Sequence, residues 1–181
     1  MSLWWTIRRL SPVMVMALLA AFGRPAAADG AARASATQVV GLFVKACVNF
    51  TGDRSGLRDW AKRTGLPQLP NPARDTFLNG LPGIVYDATA MNLKLVLISE
   101  DGGACSVIAE KADGPSVIED LETVLKASQI TLQVTRDMTD PKETALRHRE
   151  YTATGAKREW QMLVSIVQTP DGGSAMLTAS P

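Results

Sequence analysis

The chain has 181 residues, of which 46% are hydrophobic and 20% charged, with 19 basic and 18 acidic side chains. A balance this close to neutrality gives no electrostatic reason to expect nucleic acid or an anionic membrane surface as a partner. After residue 28 the sequence lacks any run of about 18 consecutive apolar residues, so it predicts a soluble protein with no stable membrane insertion.

The N-terminal segment has the three parts of an export signal. Arg8 and Arg9 form a positive n-region, residues 10–22 are almost wholly apolar, and residues 26–28 offer an A-x-A cleavage site. The apolar run is shorter than the roughly 20 residues that a helix needs to cross a bilayer. We therefore expect a signal peptide over residues 1–28 and a periplasmic or secreted protein. A retained anchor, and the choice between Sec and twin-arginine export, stay open.

Cleavage at this site would remove three arginines and no acidic residue, leaving 16 basic and 18 acidic side chains. Residues 29–36 are alanine-rich and aperiodic, which predicts a flexible leader. Residues 37–181 are then expected to form a single domain, long enough to bury a hydrophobic core of its own.

The first part of this domain has helical periodicity. Apolar side chains recur at steps of three and four residues, which places them on one face of a helix. These side chains are Val40, Phe43, Cys47 and Phe50. Two short helices are predicted to follow, the first capped by Ser55 and stopped by Gly65, the second capped by Asn71 and followed by Gly80.

From Gly83 the pattern changes to that of strands, with runs rich in β-forming residues over 83–88 and 92–99. The sequence DGG at 101–103 predicts a hairpin turn, because glycine tolerates the positive φ that tight hairpins need. Residues 104–110 are expected to return from that turn as the next strand.

Residues 116–128 have the clearest helical pattern, with Ser116 and Glu119 as a predicted capping box. Their apolar stripe comprises Val117, Leu121, Val124, Leu125 and Ser128. The remainder predicts an antiparallel meander with a second hairpin turn at 170–173. Its strands are expected over 130–135, 143–153, 158–168 and 174–180. The order of elements predicts an α+β fold, in which N-terminal helices pack on an antiparallel sheet and one further helix separates two groups of strands.

The chain has two cysteines, Cys47 and Cys105, and one histidine, His148. A cysteine nucleophile needs a base or a positive dipole beside it, and a structural zinc site usually needs four nitrogen or sulfur ligands. An even number of cysteines in an exported chain favours oxidation instead. The sequence therefore predicts a disulfide between Cys47 and Cys105. Two separate buried thiols, or a catalytic or metal-binding cysteine, are the alternatives.

The strand predicted over 143–153 carries the candidate ligand-binding residues, which are Arg147, His148, Arg149 and Tyr151. In an extended strand the two arginines and the tyrosine project from one face and His148 from the other. With Lys157 and Arg158 close by, this predicts a small basic patch for a carboxylate or phosphate. The alternative is a strand guarded by charge against edge-to-edge pairing. Under either interpretation, alanine at Arg147 and Arg149 is predicted to leave stability nearly unchanged.

Motifs with a defined chemistry do not occur: the sequence has no P-loop, no G-x-G-x-x-G, no calcium loop and no nucleophile elbow. It therefore predicts no catalytic residue, no metal and no cofactor. Three strings nevertheless resemble, as a set, a loose family of small exported proteobacterial proteins of uncharacterised function. They are Phe43 with Cys47, FLNGLPG at 77–83 and DGGACSV at 101–107. The resemblance implies an envelope location and paired cysteines, and it carries no activity.

The leading hypothesis from the sequence is a non-enzymatic periplasmic protein that binds another protein or a small envelope ligand, as an adaptor, an inhibitor or an immunity-type factor does. A second hypothesis is a small periplasmic hydrolase or transferase whose acid–base residues surround His148, with Arg147, Glu150 and Tyr151 as its other members. A third is a structural subunit of an envelope or secretion assembly.

Overall fold

A computed structural model of the protein describes residues 26–90, 93–156, 158–169 and 173–181. Most of the predicted signal peptide, Lys157 and most of the predicted turn at 170–173 lie outside the described residues. The helices are α1 (Ala26–Phe43), continued by a π-helical segment (Val44–Val48), α2 (Arg54–Arg63), α3 (Asn71–Leu78) and α4 (Gly114–Ala127). The strands are β1 (Gly83–Asp87), β2 (Leu95–Glu100), β3 (Cys105–Glu110), β4 (Thr131–Thr139), β5 (Leu146–Thr154), β6 (Glu159–Val167) and β7 (Ser174–Ser180).

All seven strands belong to one antiparallel sheet with the order β1-β2-β3-β7-β6-β5-β4. The turn predicted at 101–103 joins β2 to β3, and Gly103 has the positive φ of 98° that favours glycine there. The last strand, β7, lies between β3 and β6 and so unites the two groups of strands. The predicted α+β fold, with helices on an antiparallel sheet and α4 between the strand groups, is confirmed.

The main hydrophobic core lies between one face of the sheet and a layer formed by α1, the π-helical segment, α2 and α4. Alternate strand residues point into this core. One row of them crosses four neighbouring strands and consists of Leu97, Val107, Leu177 and Val164. The other face is covered at β1 and β2 by α3, where Leu78, Val85 and Ile98 form a smaller core. Among the described residues, no helix has the length and apolar character that crossing a membrane requires.

The predicted disulfide is present and joins Cys47 of the π-helical segment to Cys105 at the start of β3. Their Cα atoms lie 5.3 Å apart, and both residues are buried. The bond therefore ties the helical layer to the centre of the sheet.

Residues 29–36, predicted as a flexible leader, belong instead to α1, and Ala36 is fully buried. Alanine has the highest intrinsic helix propensity, so this stretch forms a helix without strong amphipathic periodicity. Packing against α4 adds specific contacts: the Thr37 hydroxyl donates to Asp120 at 2.9 Å, and Arg33 lies 3.2 Å from Glu119.

Two helices begin earlier than predicted, because aspartates and not serines cap them. The Asp53 carboxylate accepts the backbone N–H of Gly56 at 2.9 Å, and the Asp113 carboxylate accepts that of Ser116 at 3.0 Å. The predicted capping serines therefore lie inside the first turns of α2 and α4. Val124, assigned to the buried stripe of α4, is 38% exposed.

Candidate binding cleft

The C-terminal half of α4 lies over the end of the sheet formed by β5 and β4, and a cleft of about 600 Å³ separates them. Its polar lining consists of Glu122, Lys126, Gln129, Thr131, Arg149 and Tyr151. Its apolar lining consists of Ile130, Leu132 and Val134. The cleft thus combines an apolar wall with a small set of ionised groups, as ligand sites commonly do.

Strand alternation explains how β5 contributes to this cleft. Arg149 and Tyr151 pair with Val164 and Met162 of the neighbouring strand β6. Because these two partners are buried in the core, the side chains of Arg149 and Tyr151 also lie on the helix-covered face. Arg147 lies on the same face, two residues earlier along β5. The structure therefore gathers three of the four candidate residues on one face, as the alternation predicts.

One hydrogen bond and one ion pair converge on a single oxygen of Glu122. The Tyr151 hydroxyl donates to Glu122 Oε1 at 2.7 Å, and Arg149 Nη2 lies 3.2 Å from the same atom. The Arg149 guanidinium also lies over the Tyr151 ring, 5.6 Å from its centroid. Burial, reinforced by the hydrogen bond to Glu122, raises the pKa of the Tyr151 phenol far above its ordinary value. The phenol is therefore a permanent donor at physiological pH.

A second carboxylate, that of Asp137 on β4, contacts both Arg147 and Arg149. Arg147 donates to both of its oxygens, at 2.8 and 2.7 Å, and Arg149 Nη1 lies 3.6 Å away. The hydrogen bonds from Arg147 keep the pKa of Asp137 below its usual range. We refer to Glu122, Asp137, Arg147, Arg149 and Tyr151 as the cleft cluster. With Lys126 at its edge, the cluster contains three cations and two carboxylates.

These contacts revise the prediction that alanine at Arg147 and Arg149 leaves stability nearly unchanged. The Arg149 side chain is 22% exposed and lies between two carboxylates, whereas that of Arg147 is 43% exposed. We expect Arg149→Ala to lower the free energy of unfolding by about 2 kcal/mol, because it removes a half-buried cation and its packing on Tyr151. Arg147→Ala is expected to cost about 0.5 kcal/mol, as for an exposed ion pair. Urea unfolding of both variants measures the difference, and equal losses would contradict it.

His148 lies on the opposite face of the sheet, away from the cleft. Its Nδ1 atom is 2.9 Å from Ser165 Oγ of β6, and Glu150 shares its face of β5. The four residues considered for a hydrolase or transferase are therefore divided between the two faces. Ser106, beside Cys105, is buried and shares a hydrogen bond of 2.9 Å with Thr178.

The predicted basic patch does not include Arg158. This guanidinium donates to the backbone carbonyls of Thr51 and Val48, where the π-helical segment ends. Arg158 therefore supplies donors to carbonyl oxygens at the C-terminal end of a helix, as a C-terminal cap does. Lys157 lies outside the described residues.

The two edges of the sheet differ. At β1, the backbone N–H of Leu69 donates to Val85 at 2.9 Å and that of Asp87 donates to Pro67 at 2.8 Å, so the preceding loop pairs with this edge. At the other edge, no strand of the described part of the chain pairs with the outer side of β4. The charge-guarded edge considered for residues 143–153 is therefore wrong for β5, which lies between β4 and β6.

Strand β4 is guarded along only half of its length. A bulge between Val134 and Arg136 divides it, and the charges of Arg136 and Asp137 follow the bulge. The half before the bulge, 131–134, carries no charge, and Val134 is 43% exposed. Charges and bulges are the usual devices against edge pairing, so 131–134 is the unguarded half. Thr131, Leu132 and Val134 of this half also line the cleft.

Sequence reasoning missed Glu122, Asp137 and the apolar wall of the cleft. Glu122 has the periodicity of an ordinary helix surface residue, and only the crossing of α4 over β5 brings it to Tyr151. The alternation of Ile130, Leu132 and Val134 predicts that they share one face of a half-buried strand, but it does not indicate that this face lines a cleft.

Among the described residues, no group of three histidine, cysteine, aspartate or glutamate side chains is placed to hold a metal ion. No protein family, curated protein or solved structure matches this chain. The resemblance to small exported proteins stays a prediction, and the ligand of the cleft is inferred from the cleft's own chemistry.

Proposed function

We propose that the protein is a non-enzymatic periplasmic binding protein, of the adaptor or inhibitor type, which holds an extended segment of a partner protein along β4. The observation that carries this proposal is the unguarded half of β4, residues 131–134, lying open beside the cleft. An open edge presents unpaired backbone N–H and C=O groups that a partner strand can satisfy.

The apolar wall supports an extended segment as the ligand. A strand added to β4 would point alternate side chains toward the helix-covered face, where Ile130, Leu132 and Val134 line the cleft. Main-chain pairing would then supply affinity, and the cleft would select the side chain that enters it.

The chain's chemistry supports the periplasm as the compartment. A buried disulfide between two distant elements requires an oxidising environment to form and persist. The export signal predicted over residues 1–28 would deliver the chain there. The divided positions of His148 and Tyr151 favour a binding protein over the hydrolase considered above.

A matched pair of valine substitutions tests the proposed site. Peptides of about twelve residues would be selected from a random phage-displayed library on the oxidised, full-length protein. Val134→Lys is expected to weaken binding of the selected peptides at least roughly tenfold, or about 1.4 kcal/mol, because it places a charge on the unguarded half of β4. Val124→Lys is the control, since Val124 is similarly exposed but does not line the cleft.

Amide hydrogen exchange locates the bound peptide. Exchange at residues 131–134 should slow when a selected peptide is added, because their outward N–H groups gain partners. Peptides that bind Val134→Lys as tightly as the unchanged protein, or that protect only other elements, would refute the proposal.

A further inference from the structure

In the cleft cluster, Tyr151 and Arg149 hold the carboxylate of the protein's own Glu122. We infer that a carboxylate of the partner segment replaces Glu122 on Tyr151 and Arg149 when the segment binds, so that these two residues act as a carboxylate receptor. This inference rests on the proposed function and names the chemistry that the cleft recognises. The carboxylate is either the C-terminus of the segment or an acidic side chain within it.

The two residues that hold the carboxylate, Tyr151 and Arg149, both lie on the interior strand β5. Tyr151 is fully buried on an interior strand, and its hydroxyl is directed at Glu122 Oε1, 2.7 Å away. Arg149 lies on the same face of the same strand and reaches the same oxygen at 3.2 Å. A buried donor without an acceptor is costly, so the Tyr151 hydroxyl needs an acceptor at this point, and a carboxylate oxygen fills that role in this structure.

Glu122, which occupies this position, is only partly buried. It lies in the C-terminal half of α4, and its side chain is 38% exposed. Rotation about its side-chain bonds would carry the carboxylate into water, where it is well solvated. Asp137 is not replaceable in the same way, because Arg147 donates to both of its oxygens.

Charge and space both favour an incoming carboxylate. With Glu122 turned outward, the cleft cluster and Lys126 retain three cations, Lys126, Arg147 and Arg149, and one carboxylate, that of Asp137, a balance of +2. The cleft of about 600 Å³ adjoins this position, and its apolar wall would receive the uncharged remainder of the ligand.

Glu122→Ala, made in the oxidised full-length protein, tests the receptor with acetate as the probe. We expect the variant to melt at a lower temperature than the unchanged protein, and acetate to restore part of the loss. Acetamide, which has nearly the same shape and no charge, should restore much less. If Glu122 blocks the receptor at least nine-tenths of the time, its removal should tighten acetate binding roughly tenfold or more.

A second variant separates a receptor from a simple structural clamp. Glu122→Ala combined with Tyr151→Phe lacks the hydroxyl donor, so acetate should stabilise it less than it stabilises Glu122→Ala alone. If Glu122→Ala is destabilised and acetate does not raise its melting temperature above the acetamide control, Glu122 is only a clamp and the inference is wrong.

Three forms of one selected peptide distinguish the source of the carboxylate: a free C-terminus, an amidated C-terminus, and an amidated form with one internal glutamate. Glu122→Ala should bind one of the two acidic forms about tenfold more tightly than the neutral form. Equal binding of all three, with slowed exchange at 131–134, would overturn the receptor and leave the proposed function standing. If acetate stabilises Glu122→Ala but no peptide pairs with β4, the receptor would stand and the proposed function would be overturned.

Discussion

Removing the bond between Cys47 and Cys105 is expected to lower the free energy of unfolding by about 4 kcal/mol. The two residues are 58 positions apart, and a closed loop of that length strongly restricts the unfolded chain in the chain-entropy description. For a domain of this size, such a loss corresponds to a fall in melting temperature of roughly 10 °C. The effect is a large fraction of the roughly 5–15 kcal/mol by which most domains are stable.

Denaturant unfolding of three samples measures this effect. They are the oxidised protein, the same protein unfolded, reduced and refolded in reductant, and the double variant Cys47→Ala with Cys105→Ala. Reduction under denaturing conditions is needed because both cysteines are buried. Alanine is preferred to serine because it leaves no unpaired hydroxyl in the core. A midpoint that is unchanged by reduction would show that the bond contributes nothing to stability.

The bond also bears on how much of the fold the sequence could predict. Local periodicity was sufficient for most of the helices and strands and for the turn at 101–103, because each depends on residues close together in the chain. It was not sufficient for residues 29–36 of α1 or for the second half of β4, which runs from Thr131 to Thr139 and not only over 130–135. The pairing of Cys47 with Cys105 was predictable because there were only two cysteines to pair. The position of β7 between β3 and β6 was not, since strand order depends on contacts between distant segments.

For the candidate site, too, local features could be predicted from the sequence and features that depend on distant segments could not. The common face of Arg149 and Tyr151 followed from alternation along one strand, which is a local property. Their acceptor, Glu122, comes from α4, 29 residues before Tyr151, and its role depends on how that helix crosses the sheet. The open edge at β4 was also hidden, because a strand's neighbours are not encoded in its own periodicity.

Gly114, the first residue of α4, lies where packing against the sheet leaves no room for a side chain, and the surrounding sequence does not indicate this. Alanine is normally the better helix former, by roughly 1 kcal/mol. At this position, however, a Cβ atom would overlap Cγ2 of Ile166, which is buried on the interior strand β6. We expect Gly114→Ala to lower the free energy of unfolding by about 3 kcal/mol, because the overpacking must separate α4 from the sheet or displace Ile166.

Gly41→Ala is the matched control for this substitution. Gly41 lies inside α1, and nothing lies within 4 Å of the position that its Cβ would occupy, so alanine there should be neutral or stabilising by up to about 1 kcal/mol. Combining Gly114→Ala with Ile166→Ala should cost less than the sum of the two single changes, because the second removes the atom that clashes. Strict additivity in urea unfolding would contradict this contact. A cost for the pair that is smaller than the sum would show that the close approach of α4 to β6 depends on a glycine at this position.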